Sequence, residues 1–165
     1  MKKFVPDSVV IPSGIETNDF RLRRLMINDV VKDYDAVISS IDYLREVLVF
    51  GPGDPWPPID LTLEQDLIDL GWHQREFQIR SSFTFTVISL DESKCLGCVY
   101  VYPSEKKAYD AKVMHWVRQS EVSKGLDNKL FIVITKWMTE KWWFSTVAFP
   151  GRQMSWEDWE TLPDK

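Results

Sequence analysis

Histidine and cysteine are scarce in this chain, with two of each among 165 residues. The cysteines, Cys95 and Cys98, make a C-x-x-C spacing, but no second paired motif supplies the further ligands of a structural zinc site. The stretch 95–102 reads as a strand rather than the helix N-terminus where a redox pair works. Residues three apart on a strand face opposite ways, so the two thiols are expected to diverge and pack as small buried hydrophobes. No metal is expected.

Long apolar runs are lacking as well. The longest, residues 130–134, is far below the roughly 20 residues of a membrane span. Lys2 and Lys3 precede no apolar stretch of signal-peptide length, so the expectation is a cytoplasmic protein with no membrane partner. Positive charge is in deficit, with a net charge of −5 and a pI near 5.1. A dedicated nucleic-acid binder would carry a basic footprint, so none is expected, whereas a cationic acceptor is compatible. Repeats and low-complexity tracts are absent from the sequence.

What is plentiful is aromatic surface, with eight tryptophans in a chain of ordinary globular composition. This length suits one domain over residues 1–165 with a real core, and most of the rings belong in it. Residues 20–25 alternate as a first strand. Asn28 or Asp29 then caps a helix to about Ser39, with Val30, Tyr34, Val37, Ile38 and Ile41 at helical spacing. A short helical stretch covers 42–49. Two glycines and four prolines make residues 51–58 a loop, with Trp56 exposed on it and placed to act as a lid.

Thr62 opens a stronger helix with Leu63, Leu67, Leu70 and Phe77 on one face, and His73 in a packing role. Three extended runs, 83–90, 96–102 and 111–118, form an antiparallel meander. A polar loop, 119–124, leads to a long helix from Gly125 to Trp142, striped by Leu126, Leu130, Val133, Ile134, Trp137 and Met138. A strand over 145–149 and a Ser155-capped helix over 156–162 follow. The order β-α-α-β-β-β-α-β-α defines a mixed α/β, or α+β, domain with a central, mostly antiparallel sheet flanked by helices.

The junction at 117–130 carries the chemistry. A strand ends, a short loop follows, and a helix begins with unpaired N–H groups at its positive end, which is a natural anion site. Gly125 lets a phosphate approach the backbone and Lys124 adds a mobile charge, although a lone glycine before a helix is commonly just a turn.

This junction resembles the acyl-CoA-binding stretch of the GNAT superfamily of N-acetyltransferases, a strand ending V-x-P followed by [QR]-x-x-G-x-[GA] and a helix. Val117 falls on the valine, Gln119 on the proline, Val122 on the Gln/Arg, Gly125 on the first glycine and Asp127 on the second small residue. Of the three signature positions only Gly125 is kept. The element order is that of the family, residues 20–25 with Asn28-Asp29 are similar to its opening F-x-L-R-x-L…D, and residues 96–100 to its central x-G-x-x-x strand. The likeness spans roughly 17–162.

The resemblance implies a fold and an activity: transfer of an acetyl or other acyl group from acetyl-CoA to a primary amine, on a small molecule or a peptide, by direct attack. It implies that backbone N–H groups of Ser123, Lys124, Gly125, Asp127 and Asn128 hold the pyrophosphate. The backbone of Trp116, Val117 and Arg118 would pair with the pantetheine arm and steady the oxyanion. His115 and Asp110 are the candidate bases, on opposite faces of one strand, with His115 favoured because it shares the face of Ala111, where relatives carry a glutamate. Lys124, Arg118 and Lys129 would offset the charge of Asp127. No tyrosine follows Tyr109 to protonate the leaving thiolate, and the family's last two strands are missing, so a homodimer partner completes the acceptor site or the site is open. The rival function is a non-catalytic acyl-CoA-binding or regulatory module.

Overall fold

A computed structural model describes residues 4–165. Six strands form one sheet in sequence order: β1 (Gly14–Glu16), β2 (Arg21–Arg24), β3 (Phe83–Ile88), β4 (Cys95–Pro103), β5 (Ala111–Val117) and β6 (Val147–Ala148). Every neighbouring pair is antiparallel except β5 and β6, which run parallel. The helices are α1 (Val30–Ile38), α2 (Ile41–Val47), α3 (Leu63–Ile79), α4 (Gln119–Val122), α5 (Leu126–Lys141) and α6 (Trp156–Thr161). This is the mixed architecture the sequence predicts, with two additions. β1 is too short to leave a pattern, and α4 replaces the predicted loop at 119–124.

Alternation along the strands divides the interior into two cores. Phe83, Phe85, Val99, Val101, Val113 and Val117 face α5, which meets them with Leu126, Leu130, Ile134, Trp137 and Met138. The opposite face presents Cys98, Tyr100, Met114 and Trp116 to Ala36 and Val37 of α1, Leu44 of α2 and Leu70 of α3. Thr62 caps α3 as expected, its Oγ1 accepting from Gln65 N at 3.2 Å, and Ser155 caps α6 by accepting from Asp158 N at 3.0 Å.

Three sequence expectations are corrected here. Cys95 and Cys98 do not diverge: both enter the α1–α3 core. Val87 pairs with Gly97 and Ile88 with Cys95, so Leu96 is an extra residue that shifts the alternation by one. Both are free thiols whose pKa burial pushes up, which leaves them unreactive packing groups. The inward faces of α1 and α3 are also rotated from prediction. α1 buries Asp33, Ala36 and Val37, and α3 buries Asp66 and Leu70, while Ile38, Leu63 and Leu67 are exposed. Carboxylates therefore occupy inward positions that an apolar-stripe reading gives to leucine and isoleucine.

Gly97 sets the spacing of the two central strands. A Cβ built there would lie 2.2 Å from Trp116 O and 3.1 Å from Val117 Cα. We expect Gly97→Ala to force β4 and β5 apart and to cost about 1–3 kcal/mol, the range of an overpacked core. Urea denaturation with an unchanged slope and a lower midpoint is the check.

Candidate active site

Strand β5 is the floor of the site. Its parallel pairing with β6 covers only Ala111↔Val147 and Lys112↔Ala148, after which the two strands part. The wedge left between them holds a cavity of about 300 Å³ bounded by Tyr43, Val49, Met114, His115, Asp127, Arg152 and Trp156. Arg118 N donates to Leu96 O on the β4 side at 2.7 Å, whereas His115 O accepts from Arg152 Nη2 on the wedge side at 3.1 Å. Alternation then turns the peptide groups of Val117 into the wedge as well, and those of Trp116 and Arg118 away from it.

The N-terminus of α5 closes one end of the wedge. Gly125 precedes it with φ of +78°, a left-handed conformation that selects glycine whether or not a ligand approaches. Its N–H donates to Val122 O at 3.0 Å, and that of Lys124 to Glu121 O at 3.2 Å, so neither is spare. Ser123 N–H turns to Glu121 O in the same way. The first helical donor with a backbone acceptor is Lys129, to Gly125 O at 3.2 Å. Leu126, Asp127 and Asn128 are the residues whose N–H groups helix geometry leaves available. Gln119 shows why a proline is not needed at its position: its N–H donates to Ser40 Oγ at 2.9 Å, tying β5's end to α2.

Asp127 is held by a residue the sequence reading missed. Arg152 binds it through two hydrogen bonds, 2.7 and 3.0 Å, and crosses the wedge to reach His115 O. The predicted counter-charges are engaged elsewhere: Arg118 with Asp35, Lys124 with Glu121 and Lys129 with Asp19. Burial alone would raise the Asp127 pKa, but His115 and Arg152 together hold it well below the usual carboxylate range. Arg152 lies in the turn after β6, a region with no periodic signal to mark it.

His115 and Asp110 are not brought together. Five residues apart on a strand, they are about 16 Å apart along it. His115 is buried, its Nε2 3.3 Å from Asp127 Oδ1 without hydrogen-bond alignment, and its ring stacks near Phe131 at 6.1 Å. Burial lowers its pKa, so the ring is neutral at pH 7. Asp110 sits at the paired end, where its Oδ2 accepts from Ser145 N at 2.8 Å and Thr146 N at 3.0 Å. That role anchors β6. Trp116 is wholly core, its Nε1 donating to Tyr100 Oη at 2.9 Å. Trp56 is not exposed on its loop but turned inward against Phe50 and Trp116, with ring centroids 5.4 and 5.7 Å away.

A second cavity, about 390 Å³, opens on the α1–α3 side of β5 and shares Met114 and Trp156 with the wedge. Its walls are aromatic (Phe50, Trp56, Tyr100, Tyr102, Trp156) and acidic (Asp33, Asp54, Asp66, Asp69), with His73 and Lys112 also at its edge. His73 Nδ1 lies 3.2 Å from Thr84 Oγ1 and 3.5 Å from Glu76, and Lys112 is paired with Glu105 at 2.9 Å. Among the described residues no cluster suits a metal ion, and no helix is long and apolar enough to cross a membrane.

No protein-family model and no curated protein matches the chain. Solved structures do. The ribosomal-protein-S5-alanine acetyltransferase from Vibrio fischeri superposes with a TM-score of 0.58 at 18% identity, covering 76% of this chain and 66% of that one. The RimL ribosomal L7/L12 alpha-N-protein acetyltransferase in complex with coenzyme A gives 0.57 at 17% identity, covering 77% and 66%. The microcin C7 self-immunity acetyltransferase MccE, with acetyl-CoA and AMP, gives 0.57 at 13% identity, covering 79% and 69%. The chain thus spans about two thirds of the length of these structures. It has the fold of the GNAT-family acetyltransferases.

Desolvation, then repulsion from Asp66, pushes the Asp33 pKa well up, and burial pushes that of Asp66 up to about 6. An acid whose folded pKa is raised makes the native state bind protons more tightly, so stability falls as pH rises from about 4 to about 6 and stays lowered above. Asp66→Asn removes that penalty. The variant should melt higher than the parent at pH 7.5, with the gap closing as pH falls from 6 to 4; paired thermal melts across pH test this.

Proposed function

We propose that this chain, as one domain, transfers an acetyl or related acyl group from a CoA thioester to a primary amine. The observation that carries the reading is the early parting of β5 from β6 beside the available first-turn N–H groups of α5. An acyl-pantetheine arm is an extended chain with amide groups, and the wedge-facing carbonyl of His115 and N–H of Val117 are its complement. Leu126, Asp127 and Asn128 N–H groups suit the pyrophosphate. Arg152 must leave His115 O for the arm to pair there, and its guanidinium then stands next to the phosphates.

Val117 N–H is the donor we assign to the oxyanion formed on direct attack. The neutral amine must lose its proton, and the neutral ring of His115 is too enclosed by Asp127 and Phe131 to meet it directly; His115 is better suited to positioning Asp127. Tyr43, on α2 and not late in the chain, lines the wedge, and burial raises its pKa, keeping the phenol protonated. It is the group we assign to protonate the departing thiolate. The neighbours that carry CoA or acetyl-CoA support the co-substrate.

Acetyl-CoA at a hundredfold excess over its Kd should stabilise the protein by about 2.7 kcal/mol, read as a higher melting temperature, and amines should then release free thiol. No thermal shift overturns the reading. A shift with no thiol release from any amine favours the non-catalytic module, for which the Arg152–Asp127 bridge across the wedge is the supporting observation. Asp127→Asn removes a negative charge from the phosphate side and should tighten CoA about tenfold by calorimetry, equivalent to about 1.4 kcal/mol.

Tyr43→Phe should lower the steady-state rate of thiol release about a hundredfold with CoA affinity unchanged, the effect of a lost general acid. An unchanged rate assigns the proton to water.

A further inference from the structure

We infer that the acidic, aromatic cavity on the α1–α3 side of β5 is the acceptor site, and that its ligand is a short-chain dicationic amine rather than a monoamine. The inference rests on the acyl-transfer reading for the word acceptor, but the binding claim stands on the cavity alone. Four carboxylates from three elements line the cavity: Asp33 on α1, Asp66 and Asp69 on α3, and Asp54 on the preceding loop. Only two basic side chains border it, and Lys112 is already neutralised by Glu105. Asp66 is 4% exposed, and its Oδ2 has no hydrogen-bond partner among the described residues. A buried, unsatisfied carboxylate oxygen in a cavity wall is an acceptor waiting for a donor, and no neutral partner is supplied.

The charge requirement is specific. Asp33 and Asp66 are neighbours in the wall, close enough for the charge of Asp66 to push the Asp33 pKa up, and Asp54 and Asp69 add two further carboxylates. A single ammonium leaves this surplus uncovered. Two ammonium groups joined by methylenes cover more of it, with one at the Asp33–Asp66 pair and the other toward the mouth. The five aromatic rings accept the apolar spacer and the faces of the cations. Met114 and Trp156 border both this cavity and the wedge, so an amine held here lies one side chain away from where the thioester would sit. The carboxylates of this pair also give the site a base. When an ammonium docks on the pair, its proton can pass to the dyad carboxylate, leaving the amine lone pair to attack; the carboxylic acid so formed returns that proton to water after product leaves.

The test is calorimetric titration of the whole chain, without CoA, with 1,4-diaminobutane, n-butylamine and 1,4-butanediol at pH 7.5. The diamine should bind at least tenfold more tightly than the monoamine, and the diol not at all. Asp66→Asn and Asp69→Asn should each lose at least tenfold for the diamine. Asp66→Asn is expected to stabilise the fold, so its loss of binding is not loss of structure; the Asp69 variant is checked by its melting curve. Equal binding of diamine and monoamine, or no binding of either to folded protein, overturns the inference. The acetyl-CoA melting experiment is separate: diamine binding without any CoA shift keeps this site and removes the acyl-transfer reading, and the converse result removes this site alone.

Discussion

The structure turns on how little β5 and β6 hold each other. Two paired residues and the clamp of Asp110 on residues 145 and 146 fix one end of the wedge. Beyond that point β5 has peptide groups with no strand to receive them. In a protein core unpaired backbone groups are costly, so a group on this edge is either bonded by a side chain or open to the wedge cavity. Arg152 bonds His115 O and Asp127 together. One carbonyl of the edge proposed for the substrate arm is thus satisfied by an internal side chain.

Much of the fold was legible. Thr62 with Gln65, Ser155 with Asp158, and the meander between residues 83 and 118 are local signals, each readable from a few neighbouring residues. β1 was not, because three residues on a sheet edge impose no pattern. The phase of β4 was not either, since Leu96 is inserted relative to its partner strand and only the pairing reveals it. The α1 and α3 faces were misread for a more informative reason. Asp33 and Asp66 break the apolar stripe, and a reading that assigns polar residues to solvent must rotate both helices to avoid burying them.

The candidate site was legible where it depends on chain geometry and illegible where it depends on partners. The strand-to-helix junction at 117–130 could be placed from sequence, and Gly125 with it. That Arg152 rather than Lys124 answers Asp127 follows from a contact between residues 25 apart; that the Lys124 and Gly125 N–H groups are consumed depends on the short helix α4, where the polar pattern predicts a loop. The second cavity left almost no trace in sequence. Its carboxylates are scattered over 36 positions from Asp33 to Asp69 and meet only because α1 and α3 pack side by side on the same sheet face.

The setting of Trp156 has an optical side. Its indole is seated between Gly51 and Gly151, where an added Cβ would come within 3.2 Å and 2.6 Å of the ring, so it is fixed in orientation. It borders both cavities, and Trp56 lines the acidic one and packs on the buried Trp116, with ring centroids 5.7 Å apart. Trp137, Trp142 and Trp143 cluster on the far side of the sheet, sealed from both. These six indoles therefore fall into two groups in different surroundings, one at or beside the cavities and one remote from them, while Trp72 is exposed on α3 and Trp159 is buried on α6. With the exposed Trp72 replaced by phenylalanine, ultraviolet emission separates a local event at the partition from a general loosening of the core.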